Sequence, residues 1–288
     1  MYKKLENIVF LGSKKFGLNI LKELYSKNKK LNWLVIHTND KDDNRSYLNH
    51  FQNFCSLKKI NFHNVSSIKK IEKLILNQKQ DFIFVCGFYK ILRNKIFNHS
   101  VYGTFGIHNS LLPAYRGGSP LVWQIINNEK FLGSSLFKFS NGIDNGPLLH
   151  SIKIRNNRKI NIKIATDLLE KKWLKILPSI LNKYINGKLK PIKQDESKAT
   201  YVKQRKPKHG KIDWNNKFSY IDRFIRAQSS PYPGAFFRIK KRKIKIISHK
   251  IYKKKIKGEP GKIYKYNKKN IIIFCKDNKL ININYKNY

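Results

Sequence analysis

Short apolar runs alternate with amphipathic segments along the first two-thirds of the chain, and this alternation constrains the fold more than any other feature. The first β-rich run, residues 7–12, ends in glycine and is followed by Phe16, Ile20 and Leu24 at helical spacing. The next apolar run lies at 33–36. Repeated units of strand, helix and strand predict a mostly parallel sheet with helices on both faces. Ligands of such a sheet bind at the carboxyl ends of its strands.

The same patterns predict the other elements of this Rossmann-like sheet. Helices are predicted where apolar residues recur with a period of 3.6 residues, and strands where short runs are rich in β-branched and aromatic residues. The predicted helices cover 47–57, 68–77 and 165–184, and the predicted strands cover 60–62, 82–86, 102–107 and 133–139.

A boundary is predicted after the long helix. Residues 188–209 lose apolar periodicity and contain Pro191 and Pro207 in a lysine-rich polar stretch, which is typical of a linker. The remaining residues alternate as short strands around one short helix. The sequence therefore predicts an α/β catalytic domain over 1–187, a linker over 188–209 and a small C-terminal β-barrel-like (OB-like) domain over 210–288.

The charge of the chain is strongly positive. It carries 61 Lys plus Arg residues against 17 Asp plus Glu residues, a formal net charge of +44. Such a surplus favours polyanionic partners. Most of it is lysine and accompanies abundant Asn and Ile, a pattern typical of AT-rich coding sequences, so composition is the simpler explanation. Residues 189–288 hold 29 basic and 6 acidic residues, and a nucleic-acid surface there is the alternative.

Cysteine usage and hydropathy indicate the compartment. Cys55, Cys86 and Cys275 are far apart and odd in number, which argues against a disulfide framework and a cysteine zinc site. We therefore expect buried thiols. No run approaches the roughly 18 apolar residues of a membrane span, and the first residues lack the apolar core of a secretory signal. We expect a cytoplasmic protein without membrane insertion.

Residues 12–17, Gly-Ser-Lys-Lys-Phe-Gly, connect the first predicted strand to the first helix. Backbone N–H groups at such a turn can bind anions. The segment lacks both the Lys-Ser/Thr of a P-loop and the Gly-x-Gly-x-x-Gly spacing of a dinucleotide site. An anion site and a plain tight turn therefore both fit this segment.

A histidine at the end of a predicted strand offers the clearest chemistry. His108 leads from the strand over 102–107 into a loop rich in Pro and Gly, and Asp144 lies in a turn after the next predicted strand. A histidine and a carboxylate at adjacent strand ends can form an acid–base pair in which the carboxylate orients the imidazole. The other seven histidines fit structural roles.

The residues around this pair resemble a known family. The segment from His108 to Gly117 reads His-x-Ser-Leu-Leu-Pro-x-Tyr-Arg-Gly, and Asp144 lies in a Gly-x-Asp-x-Gly turn. Together they resemble the folate-dependent formyltransferases, which act on glycinamide ribonucleotide, methionyl-tRNA or sugar nucleotides. Residues 210–236, with Gly-Lys-Ile-Asp-Trp and Pro-Tyr-Pro-Gly-Ala-Phe, resemble the C-terminal domain shared by the methionyl-tRNA and aminoarabinose-type enzymes.

The resemblance implies transfer of a formyl group from 10-formyltetrahydrofolate, a co-substrate, to an amine, with no metal. It assigns His108 to proton transfer or oxyanion stabilisation, and Asp144 to orienting His108 and an ordered water. It also assigns a folate pocket to Phe88, Lys90, Ile91, Leu92, Ser110, Leu111, Leu112, Pro113, Ser140, Asn141 and Gly142, and acceptor binding to Gly12, Ser13, Lys14, Tyr115 and Arg116.

One catalytic position departs from the family pattern. The family's Asn lies two residues before the histidine and donates to the developing oxyanion, whereas this chain has Gly106. Loss of one such donor costs about 2.7–4 kcal/mol. Asn109 would point away from His108 on an extended chain. We expect a backbone N–H or water to substitute, or activity to be reduced, and we expect Gly106→Asn to raise the rate unless the new side chain blocks the site.

The acceptor is predicted from the loop after the second strand. In the methionyl-tRNA enzymes this loop is basic, whereas residues 38–45 carry three acids against two bases and would repel phosphates. This favours a nucleotide-linked amino sugar as the small-molecule acceptor, as do the Phe-Leu-Gly-Ser-Lys start and the Pro-Tyr-Pro-Gly-Ala-Phe turn. Methionyl-tRNA is the alternative, favoured by the basic runs 240–243 and 253–255. A non-catalytic protein that binds folate or nucleic acid is the second alternative, and a homodimer is compatible with all three.

Overall fold

A computed structural model describes residues 5–38, 40, 43, 45–88, 90–254 and 256–287. The sequence motifs also include the first four residues and Asn39, Lys41, Asp42, Asn44, Tyr89 and Lys255, which lie outside the described residues. The chain forms two compact units. The first comprises the residues up to 117 with 133–153 and 168–201, and the second comprises 118–132, 154–167 and the residues from 202 onwards.

A mostly parallel sheet forms the centre of the first unit. The strands up to residue 155 are β1 (Asn7–Gly12), β2 (Asn32–His37), β3 (Asn61–Asn64), β4 (Phe82–Cys86), β5 (Thr104–His108), the short β6 (Arg116–Gly117), β7 (Phe131–Lys138) and β8 (Leu148–Arg155). Within the described residues, seven of them form one sheet in the order β3-β2-β1-β4-β5-β7-β8. Strands β1 to β5 pair in parallel, and β7 runs antiparallel to β5.

Helices follow most of the strands along the chain. They are α1 (Lys15–Lys27), α2 (Leu48–Leu57), α3 (Ile68–Leu76), α4 (Asn94–Phe97), α5 (Pro120–Ile126), α6 (Ile162–Ile185) and α7 (Phe218–Gln228). The apolar residues of α3 recur at helical spacing and place Ile71 and Ile75 in the core. This alternation is the one that the sequence predicts.

The core of the first unit has two parts because successive strand residues point to opposite faces of the sheet. On one face an aliphatic cluster includes Val9, Ile36 and Ile83. The other part is aromatic: the rings of Phe82 and Phe105 stack with centroids 4.9 Å apart. Burial of each such side chain contributes about 1.5–3 kcal/mol, and together they fix the strands whose ends carry the site.

The second unit contains an antiparallel sheet. Its strands are β10 (Phe236–Ile239), β11 (Arg242–Tyr252), β12 (Ile263–Tyr266), β13 (Asn270–Phe274) and β14 (Leu280–Asn287), and the short β9 (Tyr201–Val202) precedes them. The five pair in the order β10-β11-β14-β13-β12 among the described residues. The predicted fold class, a Rossmann-like α/β sheet followed by a small β domain, is confirmed.

Several details differ from the sequence predictions. Strand β8 and helix α5 were not predicted, and the long helix α6 begins at Ile162 rather than at residue 165. Residues 188–201, which carry no periodic pattern, belong to the first compact unit. The predicted domain limits at 187 and 210 stay a prediction.

The three cysteines are free and buried, as predicted. Burial raises the pKa of Cys55 and of Cys275 to about 12, so both remain thiols at neutral pH. In the ranges that the structure describes, no helix is both long and apolar enough to span a bilayer.

Candidate active site

His108 is the last residue of β5, and its side chain is only 9% exposed. Its Nδ1 lies 3.4 Å from Oδ2 of Asp144, and its Nε2 lies 2.8 Å from the carbonyl oxygen of Tyr115. Both ring nitrogens therefore face oxygen atoms. A neutral imidazole donates from one nitrogen only, whereas an imidazolium donates from both. Only one of the two oxygen atoms can therefore accept a hydrogen bond from a neutral His108.

Asp144 reaches His108 by a route that the sequence pattern did not predict. Strand β7 runs antiparallel to β5, so Lys138 at its end lies opposite Phe105 and not beside the histidine. The following turn folds back toward His108. Asp144 has φ = 51°, in the left-handed region that Asp and Asn enter more readily than most residues, and its Oδ2 accepts a hydrogen bond of 2.8 Å from the Gly117 N–H.

Arg116 was predicted to bind the acceptor, and the structure places its side chain fully inside the protein. Its five N–H donors all have protein acceptors: Gln194 Oε1 accepts two, the Glu196 carboxylate accepts two and the Tyr201 hydroxyl accepts one. The hydrogen bonds from Arg116 hold the pKa of Glu196 below its ordinary value. All five N–H groups of the guanidinium therefore donate to other residues of the protein.

Lys14 and Ser13, also predicted to bind the acceptor, contact groups of the first unit. Ser13 is buried, and its hydroxyl donates to the Gly87 carbonyl over 2.7 Å. Lys14 Nζ donates to Asp40 over 2.5 Å and to Asp43 over 2.8 Å. Burial favours the neutral form of Asp43, but hydrogen bonds from Arg45 and Lys14 outweigh burial and lower its pKa.

Gly12 and Gly17 bring the start of α1 against the end of β4. A Cβ atom at Gly17 would stand 2.5 Å from the carbonyl oxygen of Cys86, and one at Gly12 would stand 2.7 Å from the same atom. Glycine is required at both positions by close packing, which supports the tight-turn interpretation of this segment.

The residues assigned to the folate pocket after β4 differ in exposure. Leu92 is buried in the aliphatic cluster, and Phe88 packs against that cluster while remaining half-buried. Lys90 donates from Nζ to the Ser66 carbonyl. Ile91 is 81% exposed, which leaves a large apolar side chain in contact with solvent.

The loop after His108 is closed by its own hydrogen bond. The buried Ser110 hydroxyl donates to the Ala114 carbonyl over 2.6 Å. Leu112 is buried, whereas Leu111 and Pro113 are half-buried. This closure turns the chain back so that Tyr115 meets His108.

The last folate-pocket candidates lie in the turn that carries Asp144. Ser140 donates from its hydroxyl to Asn145 Oδ1 over 2.9 Å, and Asn141 accepts from Asn145 Nδ2 at its carbonyl over 2.7 Å. Asn141 and Gly142 are exposed, and Gly142 has φ = 111°. The structure thus joins His108, Asp144 and Tyr115 directly, while Lys14 and Ser13 belong to the neighbouring loop.

Gly106 lies beside an aromatic ring. A Cβ atom there would stand 2.6 Å from Cε2 of Phe139 and 3.1 Å from the Val85 carbonyl oxygen. The Phe139 ring stacks on Phe137 with centroids 4.9 Å apart, and Phe137 stands edge-on to His108 at 6.5 Å. The space that an Asn side chain would need is therefore filled by Phe139.

Sequence reasoning missed three residues at this site. Gln194 and Glu196 lie in the segment that was predicted to be a linker, and they contact Arg116 there. Phe139 was counted only as part of a strand. No sequence signal identifies Gln194 or Glu196, because tertiary hydrogen bonds from an irregular segment leave no period in the sequence.

Across the part of the chain that the structure describes, no three His, Cys, Asp or Glu side chains are grouped to hold a metal ion.

The fold is a mostly parallel α/β sheet, and the His108–Asp144 pair lies at the carboxyl end of β5, where such sheets bind ligands. Comparison with known proteins then gives the family. The Formyl transferase family matches residues 6–178, and the family described as Formyl transferase, C-terminal domain, matches residues 205–285. The chain therefore belongs to the formyl transferase family, which confirms the predicted family and the predicted class, a folate-dependent formyltransferase.

Two relatives match most of the chain. The chain is 36% identical over 191 residues to the bifunctional polymyxin resistance protein ArnA of Wigglesworthia glossinidia brevipalpis, an alignment that covers 66% of this chain and 29% of ArnA. It is 30% identical over 255 residues to the methionyl-tRNA formyltransferase of Thermodesulfovibrio yellowstonii, which covers 85% of this chain and 80% of that protein. The chain therefore spans less than a third of ArnA's length.

A solved structure shares the fold. The N-formyltransferase from Helicobacter canadensis, in complex with folinic acid and dTDP-3-aminofucose, has a TM-score of 0.74 against this chain. The two sequences are 19% identical, and the match covers 98% of this chain and 100% of that one. At this identity the likeness shows the fold alone.

Proposed function

We propose that this chain transfers the formyl group of 10-formyltetrahydrofolate to a primary amine. The observation that carries the proposal is the 3.4 Å contact between His108 Nδ1 and Asp144 Oδ2 at the carboxyl end of β5. The amine nitrogen forms a bond to the formyl carbon, and the bond from this carbon to the folate nitrogen breaks. To take the amine proton and pass it to the departing nitrogen, His108 Nε2 exchanges its contact with the Tyr115 carbonyl for one with the substrate, while Asp144 at Nδ1 stabilises the imidazolium.

The segments assigned to the folate pocket fit an aromatic heterocycle. Ile91 after β4 is 81% exposed, and Ile143 in the turn after β7 is 54% exposed. Large apolar side chains on functional loops are typical of surfaces that a ligand covers. Phe88 adds a half-buried ring in the segment of Ile91. These residues would bind the ring system of the folate and exclude water from His108.

The acceptor that we favour is methionyl-tRNA. The sequence argument against it is repulsion between tRNA phosphates and the acids of the loop after β2. Asp40 and Asp43 are paired with Lys14, and Asp43 is paired with Arg45 as well. Their charge is therefore largely neutralised before any phosphate approaches, which weakens the repulsion expected from these two of the loop's three acids.

The second unit supports a polyanionic acceptor. The hairpin between β10 and β11 presents Lys240, Lys241 and Arg242, all exposed. Three adjacent cations at the tip of a hairpin can contact successive phosphates of a nucleic acid. The C-terminal family match, residues 205–285, includes this hairpin.

An amino-sugar nucleotide is the second candidate. The segments Phe-Leu-Gly-Ser-Lys and Pro-Tyr-Pro-Gly-Ala-Phe favour it, and the Helicobacter canadensis enzyme, which shares the fold, holds dTDP-3-aminofucose in its solved structure. A sugar nucleotide has far fewer phosphates than a tRNA, so fewer cationic side chains are needed to bind it. A cytoplasmic location and a homodimer stay predictions.

The discriminating experiment supplies radiolabelled 10-formyltetrahydrofolate with one acceptor at a time. The acceptors are initiator methionyl-tRNA, uncharged initiator tRNA and a panel of dTDP- and UDP-linked amino sugars. We expect label only in methionyl-tRNA at about 150 mM salt, where the screening length is about 8 Å. Label in an amino sugar would replace the tRNA proposal, and label in no acceptor would favour the non-catalytic alternative.

A matched pair of triple variants separates docking from bulk charge. The first replaces Lys240, Lys241 and Arg242 with Gln. The control replaces three exposed lysines of the first unit, Lys27, Lys29 and Lys30, with Gln. Both lose three positive charges. If the hairpin docks tRNA, only the first variant weakens tRNA binding. In that variant the negative slope of log binding constant against log salt should become less steep by roughly two to three. Equal losses in both would show that the charge is compositional.

A further inference from the structure

Gln194 uses its whole side-chain amide in hydrogen bonds, although it lies in an irregular segment. Its side chain is 4% exposed. Nε2 donates to the carbonyl of Asp144 over 2.8 Å and to the carbonyl of Gly146 over 2.6 Å. Oε1 accepts from Arg116 over 2.9 Å and 3.3 Å. Two donors and two lone pairs are the full capacity of an amide.

The orientation of this amide is fixed by chemistry. A guanidinium only donates hydrogen bonds and a carbonyl only accepts them. Oε1 of Gln194 must therefore face Arg116, and Nε2 must face the Asp144 turn. A flipped amide would place a donor against donors and an acceptor against acceptors. The Gln194 side chain thus connects Arg116 to the Asp144 turn in one orientation only.

The residues on either side of Arg116 contact the catalytic pair itself. The Tyr115 carbonyl lies 2.8 Å from His108 Nε2, and the Gly117 N–H donates to Asp144 Oδ2. The Arg116 N–H donates to the Thr200 carbonyl over 2.8 Å. A shift of Arg116 would therefore move both the carbonyl that faces His108 and the N–H that holds Asp144.

We infer that Gln194 and Arg116 are positioning residues that hold Asp144 against His108; the inference rests on the proposed formyl transfer. The hydrogen-bond hub formed by Gln194, Arg116 and Glu196 connects the turn of Asp144 to the chain after His108. Asp144 needs such support because its backbone is in the left-handed region, which costs free energy in a non-glycine residue. A displacement of about 1 Å in a catalytic group can cost about a hundredfold in rate.

Two variants of Gln194 test the hub. Gln194→Glu keeps an oxygen for Arg116 but turns a second oxygen toward the Asp144 and Gly146 carbonyls, so only the hydrogen bonds to the Asp144 turn are lost. Gln194→Met keeps the length of the side chain and removes the hydrogen bonds on both sides. We expect kcat to fall at least about tenfold in each, with KM for the folate changed less than about twofold. Unchanged kcat in folded Gln194→Met would overturn the inference.

The matched control is Asp195→Asn. Asp195 neighbours Gln194 in the same segment, is 49% exposed, and contacts Ser197 and Lys198 rather than Arg116. We expect kcat within about twofold of wild type, and thermal unfolding is measured for all three variants. If the loss of kcat simply followed the loss of thermal stability across the set, the role of Gln194 would be structural only.

A second readout needs no turnover. In protein labelled with ¹⁵N-histidine, the imidazole signals of His108 are assigned by their disappearance in His108→Gln. We expect Gln194→Met to shift the His108 Nδ1 signal in the same direction as Asp144→Asn does, because both weaken the contact with Asp144. An unmoved His108 signal would overturn the hub even in active protein. If wild type formylates no acceptor, the proposed function fails while this measurement still tests the hub.

Discussion

The ring of Phe139 lies against Gly106, on the face of the sheet that also carries His108. A Cβ atom at Gly106 would stand only 2.6 Å from the ring carbon Cε2. The absence of a side chain at position 106 is therefore coupled to the presence of an aromatic ring at position 139. A donor side chain cannot be restored at Gly106 without moving that ring.

This relationship favours the second of the two sequence-based expectations for Gly106→Asn, in which the new side chain blocks the site. The variant should lower formyl transfer, because the new side chain must displace Phe139 and, through the stack with Phe137, disturb His108. Overpacking of this kind also costs about 1–3 kcal/mol of unfolding free energy. Steady-state kcat and KM and thermal unfolding of the single variant check the prediction.

The double variant Gly106→Asn/Phe139→Leu isolates the cause. A smaller side chain at 139 makes room for the amide, so the double variant should recover activity and stability relative to Gly106→Asn. Phe139→Leu alone is the control, and Phe105→Leu, on the opposite face of β5, controls for loss of a ring in the sheet. A double variant no better than the sum of its single variants would show that the two positions are independent.

The contact between His108 and Asp144 makes a second prediction. Asp144→Asn keeps an oxygen for the Gly117 N–H and suits the left-handed backbone, but it removes the charge that stabilises a protonated His108. We expect kcat to fall by about 10²–10⁴, as for loss of a general acid–base group, and His108→Gln to lose a similar factor. Single-turnover rates with saturating folate measure both.

The two effects should not add. If Asp144 acts through His108, the double variant should be little slower than either single variant, because residues that act as a unit are not additive. Circular dichroism and melting curves show whether each variant folds. Near wild-type kcat in either folded single variant would remove the acid–base pair from the mechanism.

Sequence patterns predicted the buried strands well and the site in part. The limits 7–12 and 82–86 agree with β1 and β4, because uninterrupted apolar runs between polar residues mark strands buried on both faces. Strand β8 was missed because its buried residues, Leu149, Ile152 and Ile154, do not keep a period of two. Helix α5 has only seven residues, too few for a helical period.

The site divides along the same physical line. The proximity of His108 and Asp144 was predictable because both follow predicted strands and their residue types suit an acid–base pair. The contacts of Gln194 were not predictable, since they are hydrogen bonds to groups 48 to 78 positions away in the chain. The pairing of Lys14 with Asp40 was equally hidden.

The second unit contains a buried ion cluster that makes a prediction about stability. Asp222 Oδ1 lies 3.0 Å from His249 Nε2, and Asp222 Oδ2 accepts from Arg226 over 3.0 Å. The three side chains are at most 15% exposed. Asp222→Asn leaves buried donors without a carboxylate, so we expect a loss of about 1–3 kcal/mol of unfolding free energy at pH 7. Urea titration measures it, with exposed Glu259→Gln as the control.

The pH dependence of this loss has a definite sign. Burial raises the pKa of Asp222, but hydrogen bonds from His249 and Arg226 outweigh burial and lower it overall. A lowered folded-state pKa stabilises the fold above the ordinary aspartate pKa, and the effect disappears as the pH falls through the folded-state value. The difference between wild type and Asp222→Asn should therefore shrink in acid. A difference that grew in acid would contradict this account.

His37 gives the last prediction, which concerns stability near neutral pH. The side chain is fully buried at the end of β2, with Nε2 3.2 Å from the Ser13 carbonyl. Burial lowers the pKa of His37 below its ordinary 6.5, so the folded protein keeps it neutral where an unfolded chain would protonate it. The unfolded state then binds more protons below about pH 6.5, and the unfolding free energy should decrease as the pH is lowered in that range. His37→Gln should remove this part of the pH dependence, whereas His50→Gln, at an exposed position, should leave it in place. Chemical unfolding between about pH 5 and pH 8 checks both, and an unchanged slope in folded His37→Gln would assign the pH dependence to another group.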